Sequence, residues 1–106
     1  MPKHEFKWNA RLQIELPALR LDWEAYDAYE RAGILAYWED VRGRIPDLVA
    51  ELERRIDAKQ TALSEEDSFE AACRLNAEIA ELASRINDLH IWYRINQEIE
   101  PRRHSG

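Results

Sequence analysis

One cysteine, one methionine, three glycines and four prolines are spread over 106 residues, and these scarcities set the first bounds on the chain. Cys73 has no second cysteine with which to close an internal disulfide. The amino terminus has no apolar signal core behind its few basic residues, so a cytoplasmic location is expected. Sparse glycine and proline, with 45% hydrophobic and 34% charged residues, point to an ordered helical chain with disorder confined to its ends. No run approaches the roughly 18 apolar residues of a bilayer span, so no membrane partner is expected.

Positive charge is also short. The chain carries 15 Lys and Arg against 21 Asp and Glu, a net charge of −6. Binding nucleic acid requires a continuous basic surface to neutralise phosphates, so nucleic acid is not an expected partner. The densest basic region, Arg42, Arg44, Arg54, Arg55 and Lys59, is interleaved with Asp47, Glu51, Glu53 and Asp57. That is the pattern of ion pairs along a helix surface.

Recognisable catalytic and metal-binding patterns are missing as well. There is no glycine-rich phosphate loop, no nucleophile motif and no serine with a plausible histidine partner. His4 and His104 lie in the tails. His90 has Ile86 and Arg94 at four-residue offsets and Asn87 and Tyr93 at three-residue offsets, so it lacks the Glu-x-x-His spacing of helical metal sites. No metal and no cofactor is expected, and acids such as Glu51, Glu53, Glu78 and Glu81 read as solvated helix faces beside arginines.

What the chain does contain is helix. Residues 64–100 run without glycine or proline and place Ala72, Ile79, Ile86 and Tyr93 in one heptad register, with Leu75, Leu82, Leu89 and Asn96 in the other. Ser64 reads as the N-cap, backed by Glu65, Glu66 and Asp67 over the positive end of the helix dipole. Pro101 stops the helix, and Arg102 and Arg103 begin a basic tail over residues 101–106. The segment would be about 54 Å long, so it must lie against something of similar length.

Two further helices are predicted, over 22–42 and 46–63. The first opens at Asp22, is rich in aromatic residues and holds Gly33, which suggests a close backbone crossing or a local weakness. Pro46 suits the first turn of the second, whose apolar face is Val49, Leu52, Ile56 and Leu63. Residues 1–21 differ in texture. Leu12, Ile14 and Leu16 alternate with Arg11, Gln13 and Glu15 until Pro17 ends the run, which reads as an extended arm or short strand. Such an arm lies along the helices, pairs with a copy from another subunit, or frays.

The expected fold class is therefore all-α, one helical domain over 22–100 built as a long antiparallel hairpin with an extended amino-terminal arm. If the first helix reverses at Gly43, the apolar carboxy-terminal half of the organising helix stays bare. If it continues through a kink at residues 43–46, it brings Tyr37 and Trp38 near residues 89–93, with Val49 near Ile79 and Ile56 near Ala72. The kinked course is the reading adopted, because it pairs the apolar faces. One such hairpin has a thin core, so two are expected to associate as a homodimeric four-helix bundle.

Tyr37, Trp38, His90, Trp92 and Tyr93 are the candidate ligand pocket, with an imidazole able to titrate near neutrality. The simpler reading of the same five is core and interface. Trp8, Ile14, Trp23, Trp38, Ile91, Trp92, Ile95 and Ile99 are the candidate interface, as large apolar anchors dominate association. The function expected is a non-enzymatic, self-associating interaction or adaptor protein with an unidentified protein partner. The alternatives are a small-ligand-binding regulator using Trp38, His90 and Trp92, and a small all-helical enzyme.

Overall fold

The computed structural model describes residues 3–95, of which 69% are helical. Strands β1 (His4–Asn9) and β2 (Ile14–Leu19) are followed by a single 3-10 turn, Trp23–Ala25. Then come α1 (Ala28–Arg42), α2 (Ile45–Ser64) and α3 (Phe69–Arg94). The fold is mostly helical but not all-α, because the amino-terminal arm doubles back into a two-stranded antiparallel hairpin.

The hairpin turns without glycine or proline. Asn9 Oδ1 accepts from the Leu12 amide at 2.9 Å and the Asn9 carbonyl accepts from the Gln13 amide at 2.7 Å. Gln13 takes the left-handed conformation, φ 63°, that a glycine would normally supply. Pro17 lies within β2 instead of ending it. It stands opposite Phe6, while Arg20 N–H bonds the Lys3 carbonyl at 3.0 Å. Antiparallel pairs alternate, so position 17 falls at a pair that needs no amide donor.

Tyr26 locks the open end of the hairpin. It is buried, and its hydroxyl donates to the Lys3 carbonyl at 2.7 Å while accepting from the Arg20 and Leu21 amides at 3.1 and 3.2 Å. This knot, with the 3-10 turn before it, replaces the predicted start of the first helix. Asp27, five residues beyond Asp22, is the N-cap of α1, in a reciprocal capping box with Glu30. Gly33 meets nothing within 4 Å of its Cβ position, so it makes no close crossing.

α1 and α2 form one bent arm, the kinked course adopted above. Gly43 and Arg44 keep right-handed helical angles, and Gly43 N–H still bonds the Glu39 carbonyl at 3.0 Å. Pro46 has no N–H to offer the Arg42 carbonyl, and the arm bends there. At the next turn Ser64 is the last residue of α2, and Ser68 is the cap of α3, its Oγ accepting from the Ala71 amide at 3.2 Å. Four residues therefore go into the loop, and the register shifts: Lys59 Nζ reaches Glu78 at 3.0 Å, and Val49 lies beside His90 and Tyr93 rather than Ile79. Asn96, Ile99 and the tail at 101–106 lie outside the described residues.

The core forms where three layers meet. Leu12 and Ile14 from the β-hairpin, Trp38 and Val41 from α1, Ile45 and Leu52 from α2, and Leu82 and Leu89 from α3 share one buried cluster. Fully burying each aliphatic contributes about 1.5–3 kcal/mol. Replacing Tyr26 by phenylalanine should lower unfolding free energy by about 1–3 kcal/mol in urea melts, since the Leu21 amide loses its partner while the Arg20 amide and Lys3 carbonyl keep only each other.

Candidate functional site

The five residues of the candidate pocket do not converge. Trp38 and Trp92 do meet, edge-on, with ring centroids 5.8 Å apart, but Trp38 is fully buried and this contact is core. Its Nε1 has no hydrogen-bond partner among the described residues. Tyr37, one residue earlier, is turned about 100° around α1 and faces the β-hairpin instead. Its ring lies 4.4 Å from Phe6, and its hydroxyl donates to the Glu15 carboxylate, which raises the phenol's pKa.

His90 and Tyr93 sit on the other side of α3. With Ile45, Pro46, Val49, Ala50 and Glu53 they line a shallow groove of about 320 Å³ between α2 and α3. Arg42 holds Tyr93 in place, its guanidinium 4.6 Å over the Tyr93 ring and its Nη1 donating to the Tyr93 carbonyl at 3.2 Å. The groove is mostly apolar with one imidazole and one carboxylate at its edge, a surface suited to receiving side chains. Among the described residues no three metal-donor side chains cluster.

The candidate interface set divides in the same way. Ile14 and Trp38 are fully buried in their own chain, so neither is available to a partner. Trp92 and Ile95 pack against the same core, and Trp23 is half-buried against Tyr26. Trp8, 56% exposed, and Ile91, 43% exposed, stay on the surface. Exposed Tyr29 and Phe69 are not among the sequence candidates, although Phe69 is 82% exposed at the start of α3.

Sequence reasoning also misses the hub that seats the β-hairpin. Arg11, at the turn, donates through Nε to Glu81 at 3.1 Å, through Nη1 to Asp88 at 2.6 Å and through Nη2 to Ser84 Oγ at 2.7 Å. Three α3 residues at helical spacing thus share one guanidinium. No local signal marks a pairing across 70 positions.

Glu81 is bonded by Arg85 as well as Arg11, which together hold its carboxyl below the usual range. Lys3 does the same for Glu30 at the head of α1. A depressed carboxyl pKa contributes stability that is present above the unfolded value and lost as pH falls through the folded one.

No family model matches the chain, and no similar curated protein or solved structure was found.

Melting temperature should therefore hold steady from neutrality down to about pH 5 and fall below it. In Glu81→Gln that acid limb should flatten, and in Arg11→Ala the melting temperature at pH 7 should drop toward the acid value. An unchanged limb in Glu81→Gln would remove this cluster from the pH response.

Proposed function

We propose that this chain is a non-enzymatic helical module that associates with itself and acts as an interaction or adaptor protein. The observation that carries the reading is exposed apolar surface: among the described residues Trp8, Tyr29, Phe69 and Ile91 stay exposed, and large apolar side chains are the anchors of association.

Shape supports the same reading. The radius of gyration is 18.4 Å, against about 13 Å for a compact chain of this length, and the molecule is only 20 Å across its thinnest axis. A second copy laid on the broad face would complete a four-helix core.

Light scattering across a concentration series should give twice the 12.5 kDa chain mass, falling toward the chain mass only on dilution. A single-chain mass persisting at the highest concentration would refute self-association.

A further inference from the structure

Charge is distributed on α3 in a way that separates two faces. Glu70, Arg74, Glu78, Glu81, Arg85 and Asp88 follow one another at intervals of three or four. At 100° per residue all six fall within an arc of about 80°. That arc is the side the rest of the chain uses: Arg11 binds Glu81 and Asp88, and Lys59 binds Glu78. α2 shows no such segregation, since Glu51, Glu53, Arg54 and Asp57 point around it.

The opposite side of α3 holds no formal charge from Phe69 to Ile91, about 33 Å of helix. Cys73, Asn76, Ala80, Ala83, Asn87 and Ile91 mark it, and all six are exposed. A solvated helix face in a chain that is 34% charged would not ordinarily run so far without a lysine or glutamate. The strip borders the apolar groove at His90 and Tyr93, which extends it onto α2.

Building on the self-association just proposed, we infer that this uncharged face of α3 is the dimer interface, with α3 of a second copy crossing it antiparallel. Three features select a second copy as the occupant. The strip reads alike from both ends, because Asn76, Ala80, Ala83 and Asn87 are spaced four, three and four apart. Reversed on itself it sets Ala80 against Ala83 of the second copy and Asn76 against Asn87, the self-complementarity a two-fold axis requires. The alanines let the two backbones approach closely, and the paired asparagine amides can satisfy one another.

Charge is the second feature. Two copies at −6 each repel through most surfaces, and this face brings no acid against acid. The same register carries Arg94, beyond the uncharged stretch, to the start of the second copy's α3, beside Glu66, Asp67 and Glu70. Arg94 has no ion-pair partner among the described residues of its own chain. The third feature is extent: the strip runs about 33 Å along α3, long enough for an antiparallel helix to lie on it over its whole length. It also covers Phe69 and Ile91, two of the exposed large apolar residues.

Ala80→Lys and Ala83→Glu test both the face and its direction. Each position is exposed in the single chain, so circular dichroism should show unchanged helicity. Each variant alone should dimerise at least about tenfold more weakly than the wild type. An equimolar mixture should recover dimer, because the lysine introduced in one copy then meets the glutamate introduced in the other. Ala58→Glu, on the outer side of α2, should dimerise as the wild type does. A dimeric wild type with Ala83→Glu equally dimeric would overturn this face and leave self-association standing. If both single variants dissociate and their mixture stays monomeric, the antiparallel register is overturned. A monomeric wild type would overturn both readings together.

Discussion

Everything in this fold depends on the β-hairpin turn being seated on α3. Leu12 and Ile14 enter the buried cluster, and Arg11 beside them ties Glu81, Ser84 and Asp88 into one network. Two antiparallel helices alone bury only one seam, so Leu82 and Leu89 would remain half covered without a third layer. The bend at Pro46 supplies the rest of that layer, because it brings Trp38 over the end of α3 where Trp92 lies. The hairpin could not hold its own shape alone, and it is fixed at its far end by the Tyr26 hydroxyl.

This seating is one-sided, and the one-sidedness has a functional consequence. Arg11 of the hairpin turn and Lys59 of α2 neutralise the charged arc of α3, while the opposite arc carries no charge from Phe69 to Ile91. A helix does not need two faces of such different character unless two different environments meet them. The groove at His90 and Tyr93 belongs to the second environment, whereas Trp38 and Trp92 belong to the first. The aromatic residues that look like one cluster in sequence are thus divided between holding the chain together and facing outward.

Much of the architecture was legible from period and punctuation. The long helix, the Pro46 kink and the meeting of Trp38 with the end of α3 follow from apolar spacing and the position of one proline. The hairpin was not legible, because its turn uses Asn9 and a left-handed Gln13 where glycine is the usual signal, and Pro17 hides in a pair that needs no donor. Ser64 and Ser68 are both sound caps, as are Asp22 and Asp27, and local chemistry does not choose between them. Tertiary contacts do: the Tyr26 knot takes Asp22, and the loop takes residues 65–68. With that shift Val49 lies beside His90 and Tyr93 rather than Ile79.

If the seated hairpin is an integral layer, its amides must share the stability of the helices. Hydrogen exchange of the full chain at neutral pH reads this directly. The Lys7 and Leu16 amides, central in the sheet, should be protected to the same free energy as the α3 amides around Leu82 and Leu89. Strand amides exchanging at near-random-coil rates while α3 stays protected would contradict that dependence and leave the helical pair to stand by other means.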